Sequence, residues 1–160
     1  MYEAGVTIRR PKKGDEADLA LLIYRFYLFN EEFDPAWSLS DNAKDSAITE
    51  AARLVSQREN GEIVLVAEIN GSLVGYVRGF IRTLPLLSEG SIAVISELYV
   101  KPGFRGRGVG KLLIDAFSDE ARRMNASRIA AEVPSQNIVA EKFYEKLGFR
   151  KFMITFVKEV

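Results

Sequence analysis

The chain reads as an α/β sandwich, a mixed and mostly antiparallel sheet with helices on both faces. Three observations predict it. Strand-length runs rich in Ile, Val and Leu alternate with longer stretches whose apolar residues recur at helical spacing. Asn70-Gly71 separates two of the apolar runs, and that dipeptide is the strongest short-range signal of an antiparallel hairpin. Farther along, two apolar runs each lead into an amphipathic helix that needs a sheet to cover its stripe.

Residues 6–9 form a short strand closed by Pro11. Asp15 can cap a helix over residues 16 to about 31, with Leu19, Leu22, Ile23, Phe26 and Tyr27 as its apolar stripe. Residues 33–41 are a loop. Beyond Ser40 or Asp41 a second helix runs to about Glu59, and the spacing turns Ile48, Ala51, Ala52 and Val55 inward. Asn60-Gly61 and Asn70-Gly71 bracket a strand over residues 62–69, so residues 73–82 return antiparallel to it. After a turn at residues 84–90, residues 91–100 form a strand. The next helix carries Val109, Leu112, Leu113, Ala116, Phe117, Ala121 and Met124 at helical spacing. Residues 128–133 form a strand, residues 137–147 a helix stopped by Gly148, and residues 149–157 a final strand. The order is β-α-α-β-β-β-α-β-α-β. Neither a repeat nor a linker interrupts it, so residues 1–160 read as a single domain with a core of ordinary size.

Composition narrows the chemistry. Lys plus Arg and Asp plus Glu both number 22, and this balance argues against a nucleic-acid binder that relies on counterion release. Without cysteine there is no disulfide framework and no thiol nucleophile. Without histidine there is no Ser-His-Asp triad, imidazole base or His-containing metal site, so acid–base work falls to Glu, Asp, Tyr, Lys or water. No metal is expected. Neither a targeting segment nor an 18-residue apolar run is visible, which makes a cytoplasmic protein off the membrane the default expectation.

The stretch from Ser96 to Leu113 carries the strongest functional signal. A strand ends at Val100, and the loop Arg105-Gly-Arg-Gly108-Val-Gly110-Lys111 opens directly into a helix. Backbone N–H groups at a helix start converge on one spot that the macrodipole makes electropositive, so a phosphate-bearing ligand is expected there. A Walker A loop aligned on Gly110-Lys111 fails twice, with Arg105 at its first glycine and Leu112 at its magnesium-binding hydroxyl. A dinucleotide loop started at Gly106 and Gly108 puts Lys111 where its third glycine belongs.

Arg105 to Gly110 does match R-x-x-G-x-G, and residues 137–149 match N-x-x-A-x-x-x-Y-x-x-x-G-F through Asn137, Ala140, Tyr144, Gly148 and Phe149. In that order, the two motifs resemble the GNAT superfamily of acetyl-CoA-dependent N-acetyltransferases over residues 90–152. The element order also agrees with that fold. The resemblance implies a GNAT-type sandwich in which the strands at residues 91–100 and 128–133 splay to admit acetyl-CoA. It places the pantetheine arm along the backbone of Leu98, Tyr99 and Val100. The pyrophosphate rests on Arg105, Gly106, Arg107, Gly108, Val109, Gly110 and Lys111, with Asn137 and Tyr144 also at the cofactor. Tyr144 is implied as the acid that protonates the departing thiolate.

The base is open between Glu97 and a water. Strict alternation puts Glu97 on the face of Ile95 and Tyr99, opposite Ser96 and Leu98, unless a bulge re-aims it. Asn137 has a plain reading as a helix N-cap. Tyr24, Phe26, Tyr27, Phe29, Phe33 and Trp37, with Glu31, Glu32 and Asp34, are expected over the acceptor side, where they suit a cationic amine such as a polyamine, an aminoglycoside or a protein amine. The expected reaction is direct attack on acetyl-CoA in a ternary complex. The alternative is a catalytically silent acyl-CoA-binding module, which would need neither Tyr144 nor a base. The run of residues 152–157 is a candidate edge for a homodimer, although an internal strand would look the same.

Overall fold

Strict alternation between two apolar faces is clearest in β2 (Glu62–Ile69), where Ile63, Leu65, Ala67 and Ile69 enter one core and Val64 and Val66 the other. The computed structural model describes residues 5–160. Around β2 it arranges β1 (Thr7–Arg9), β3 (Ser72–Thr83), β4 (Ser91–Val100) and β5 (Arg128–Ala131) in the order β1-β2-β3-β4-β5. The first three pairings are antiparallel and the β4–β5 pairing is parallel. Asn70 and Gly71, both at positive φ, form the β2–β3 hairpin.

Helices α1 (Glu16–Asn30) and α2 (Ala43–Ser56) cover one face through Leu19, Leu22, Ile23, Phe26, Ala47, Ala51 and Leu54. On the other face, α3 (Val109–Arg123) buries Val109, Leu113, Ile114, Phe117 and Ala121, and α4 (Ile138–Lys146) contributes Tyr144. Phe117 lies directly on the sheet because β3 has Gly79 beneath it. A Cβ at Gly79 would come within 2.7 Å of the Phe117 ring and 2.2 Å of the Val94 carbonyl oxygen.

Three expectations need correction. The inward stripe of α2 is Ala47, Ala51 and Leu54, while Ile48 and Ala52 are exposed. The helix is rotated because Arg53 reaches over β2 to Glu62 (2.8 Å) and Glu50 meets Arg78 (2.7 Å). Periodicity among apolar residues is blind to such an ionic anchor. Asp15 stands at the N-cap of α1 but makes no side-chain cap; its carboxylate accepts two hydrogen bonds from Arg9 (2.6 and 3.0 Å). Most consequentially, residues 149–157 form no strand, and residues 150–160 are exposed throughout. Their apolar pattern suits a strand, but a strand also needs a hydrogen-bonding neighbour, and among the described residues β5 pairs only with β4.

Candidate active site

The site grows from one irregularity in β4. Arg78 pairs with Glu97 and Gly79 with Ile95, leaving Ser96 as an extra residue whose hydroxyl donates to the Arg78 carbonyl (3.3 Å). This bulge breaks the alternation: Ile95 belongs to the α3 side, whereas Glu97 joins Tyr99 on the α1–α2 side. The parallel ladder with β5 ends at the same point, its last contact running from Glu132 N–H to the Ile95 carbonyl (3.0 Å). From Glu97 to Val100 the strand keeps β3 on one edge and has no strand partner on the other among the described residues. β4 and β5 thus part at the bulge, and a shallow cleft of about 200 Å³ lies across the neighbouring sheet surface, lined by Phe80, Ile81 and Arg82 of β3, Val94 and Ser96 of β4, and Glu132.

Glu97 is 4% exposed and accepts from three donors: Tyr27 Oη (2.9 Å), Tyr76 Oη (2.9 Å) and Arg78 Nη1 (3.3 Å). Arg78 also reaches Glu50 and Glu62, which ties the carboxylate to a network continued by Arg53. Burial and then the Glu97 charge raise the pKa of Tyr27 above its ordinary value, and the same two causes raise that of Tyr76. Both phenols therefore stay protonated donors at neutral pH. Tyr76 is fully buried, whereas Tyr27 is half-buried beside Phe26 and Trp37 (ring centroids 5.1 and 5.9 Å). Tyr27 therefore stands between Glu97 and the surface. No local sequence signal marks Tyr76 and Arg78, because only the β3–β4 register sets them opposite Tyr99 and Glu97.

The loop after β4 folds through a 3-10 turn at Pro102–Phe104 and enters α3 at Val109. Gly106 (φ 75°) and Gly108 (φ 83°) both have left-handed backbones, and Gly108 is the N-cap. The first turn of α3 has no upstream carbonyls to pair with, so the amides of Val109 and Gly110 face the loop. Arg105, Gly106 and Arg107 are exposed around it. Gly110 has a second duty: a Cβ there would stand 3.1 Å from the Phe143 ring, so it also sets the approach of α3 to α4. Arg105 leans away, donating through Nε to the Val100 carbonyl (2.8 Å) and stacking over Phe29 and Tyr99 (5.3 Å each). Arg107 stacks over Phe104 at 5.6 Å, and Lys111 pairs with Asp115 at 2.6 Å.

On α4, Asn137 caps the helix, its side-chain oxygen accepting from Ala140 N–H at 3.0 Å. The plain reading of Asn137 accounts for that oxygen. Tyr144 is 8% exposed and packs edge-on against Phe143 (5.2 Å) and Phe149 (5.1 Å) in the cluster that contains Leu98 and Val100. Burial raises its pKa, so the phenol keeps its proton. On the acceptor side, Glu31 accepts from Leu39 N–H (3.1 Å) and Asp34 from Ala36 N–H (2.8 Å), so both serve local turns. Lys44 lies over the Tyr24 ring (5.5 Å), and Phe29 packs against Phe33 (5.1 Å). Among the described residues no cluster of acidic side chains could hold a metal ion, and no helix is long and apolar enough to cross a membrane.

Comparison with known proteins agrees with this geometry. The acetyltransferase (GNAT) family model matches residues 25–149. The uncharacterized N-acetyltransferase YhfO of Bacillus subtilis is 28% identical over 147 residues, covering 91% of each chain. An uncharacterized N-acetyltransferase of Methanocaldococcus jannaschii is 33% identical over 98 residues, 61% of this chain; the match spans only 42% of the relative's length. Among solved structures, the aminoglycoside N-acetyltransferase AAC(6')-Iy in complex with CoA superposes with a TM-score of 0.73 at 18% identity, covering 96% of this chain and 94% of the other. With element order, splayed strands and family match in agreement, the chain belongs to the GNAT family of acetyltransferases.

Proposed function

We propose that this protein transfers the acetyl group of acetyl-CoA to a primary amine by direct attack in a ternary complex. One observation carries the proposal. The Ser96 bulge turns Glu97 to the α1–α2 face while Tyr144 lies in the α3–α4 cluster with Leu98 and Val100, and we read the carboxylate as the base and the phenol as the acid. The loop fits the cofactor, because glycines at φ 75° and 83° feed a helix N-terminus with exposed Arg105 and Arg107 beside it. Bound acetyl-CoA supplies an activated thioester. Val109 and Gly110 present amides to its pyrophosphate, and the edge of β4 from Leu98 onward, which has no strand partner, presents backbone groups to the pantetheine arm, the Val100 carbonyl being exchanged from Arg105 to the arm. Glu97 takes a proton from the ammonium of the acceptor, directly, through a water or through the Tyr27 hydroxyl. As the C–N bond forms and the C–S bond breaks, Tyr144 would give its phenolic proton to the departing sulfur, and the second proton lost by the attacking nitrogen would restore the phenol. Lacking cysteine, the chain cannot pass the acetyl group through an enzyme thioester.

The aromatic wall of Phe26, Tyr27 and Trp37 beside an acidic network suits a cationic acceptor, and the aminoglycoside enzyme among the structural neighbours supports that class. Thiol release from acetyl-CoA against a panel of polyamines, aminoglycosides and peptide amines tests the reading, with thermal shifts recorded in parallel. Amine-dependent release is expected, together with stabilisation by CoA. Stabilisation without release for any amine would leave only the acyl-CoA-binding module. No stabilisation at millimolar CoA would remove the cofactor site.

A further inference from the structure

We infer that Tyr27 is a further catalytic residue: its hydroxyl takes a proton from the acceptor ammonium while handing its own to Glu97, so the base acts through the phenol rather than by contact. The inference rests on Glu97 serving as the base. Glu97 is 4% exposed, and its carboxylate is already occupied. Oε1 accepts from Tyr27 Oη (2.9 Å) and Arg78 Nη1 (3.3 Å), which fills both lone pairs of that oxygen, and Oε2 accepts from Tyr76 Oη (2.9 Å). An amine in contact with the carboxylate itself would have to displace one of these donors.

Chemistry and burial single out one of the three. The Arg78 guanidinium has no lone pair, so it cannot receive a proton from an ammonium. The Tyr76 hydroxyl has lone pairs, but the residue is 0% exposed, with Phe26 edge-on over its ring at 6.5 Å. Tyr27 alone joins a group that can accept and donate at once to a position that is partly exposed. Its ring is fixed by Phe26 edge-on at 5.1 Å and by Trp37 at 5.9 Å, which keeps the hydroxyl on Glu97. Glu97 also begins the stretch of β4 that has no strand partner among the described residues, so the relay stands at the end of the edge proposed for the pantetheine arm.

The step balances. An ammonium N–H bond breaks as an O–H bond forms on Tyr27, and the former Tyr27 O–H bond breaks as Glu97 Oε1 becomes a carboxylic acid. The phenol ends as it began, and the nitrogen gains the lone pair that attacks the thioester. Both transfers run together, because burial and the Glu97 charge raise the Tyr27 pKa and make a free phenolate costly. After the amide departs, the proton leaves Glu97 by the same path in reverse. Around the pair stand Tyr76 and Arg78 of β3, Glu62 of β2, and Glu50 and Arg53 of α2. Arg78 lies nearer to Glu50 (2.7 Å) and Glu62 (3.0 Å) than to Glu97 (3.3 Å), so its charge is shared among three carboxylates rather than directed at Glu97 alone.

Tyr27→Phe keeps the ring and removes the hydroxyl. Thiol release from acetyl-CoA is followed from about pH 6 to about pH 10 with spermidine, kanamycin and benzylamine, which are ammonium ions at neutral pH, and with methoxyamine, which is not. For the ammonium acceptors, kcat/KM at neutral pH should fall about 10²- to 10³-fold. The loss should shrink by up to about tenfold per pH unit as free amine accumulates, and for methoxyamine it should stay within about threefold. Glu97→Gln should show the same pattern, and the double variant should be no slower than the slower single one, because the two groups move one proton. CoA should still raise the Tm of Tyr27→Phe. An unchanged kcat/KM would overturn the inference. So would a loss equal at every pH and for methoxyamine, which is the mark of a structural hydroxyl, or losses that multiply in the double variant. Native activity in Glu97→Gln would remove the base and the relay with it, whereas a native protein that turns over none of these acceptors would remove acetyl transfer itself.

Discussion

Replacing Tyr144 by phenylalanine removes one hydroxyl and little else. The ring is held by Phe143 and Phe149 at 5.2 and 5.1 Å, contacts that phenylalanine reproduces. No hydrogen bond to the hydroxyl is made among the described residues, so no buried partner is stranded by its loss. The cost in stability should therefore stay below about 1 kcal/mol. In a chain of this length that moves Tm by no more than about 4 °C. The catalytic cost is of a different size. Because burial keeps the phenol protonated, it would enter the proposed reaction as an acid over the whole working pH range. A positioned acid is worth about 10²- to 10⁴-fold, and a thiolate, being a fair leaving group, needs the lower part of that range. We expect kcat to fall about ten- to a thousandfold, or about 1.4 to 4 kcal/mol, with kcat/KM falling in step and acetyl-CoA affinity nearly unchanged. A thiol-reactive dye reads the reaction without background from a protein lacking cysteine. Wild-type kcat in the variant would reduce Tyr144 to a packing residue, and a Tm loss above about 8 °C would show that the hydroxyl is structural.

Two further predictions follow from the loop and the first strand. Gly108→Val forces a β-branched residue into a backbone at φ 83° and blocks close approach, so it should weaken CoA binding more than tenfold, and Arg107→Gln only severalfold; equal losses by calorimetry would contradict the backbone cradle. Asp15 is held below the usual carboxylate range, first by its hydrogen bonds to Arg9, so its contribution to stability is complete above about pH 4 and is lost as pH falls through the lowered folded value. Asp15→Asn should therefore lower Tm at pH 7 and converge on the wild-type curve toward pH 2; a constant gap across the acid limb would assign the effect to packing.

Much of the fold was legible because its signals are local. Asn70-Gly71 gave the hairpin, and β2 and β4 fall at the expected residues, since alternation and turn chemistry act over a few positions. Gly148, at φ 88°, ends α4 where a C-terminal glycine was read. The cradle loop was legible for the same reason: Gly106, Gly108 and the helix start lie within a few residues of each other. The partners of Glu97 were not. Tyr27 is 70 residues away and meets Glu97 only because α1 lies over β3 and β4, whereas Tyr76, 21 residues away, is set beside it by the β3–β4 register. The stripe of α2 failed similarly, since Arg53 and Glu50 answer to Glu62 and Arg78 on the sheet rather than to the apolar period of their own helix.

Sequence alone determined the family motifs, the order of elements through α4 and the chemistry that absent Cys and His rule out, because each rests on residue identity or short spacing. Tertiary structure decided which way Glu97 points. One extra residue at Ser96 inverts the alternation, and only the hydrogen-bond register with β3 shows that it is there. It also decided the fate of the last apolar run. Strand propensity belongs to a segment, whereas a strand exists only when a neighbouring backbone completes its ladder, and among the described residues no backbone completes one for residues 150–160.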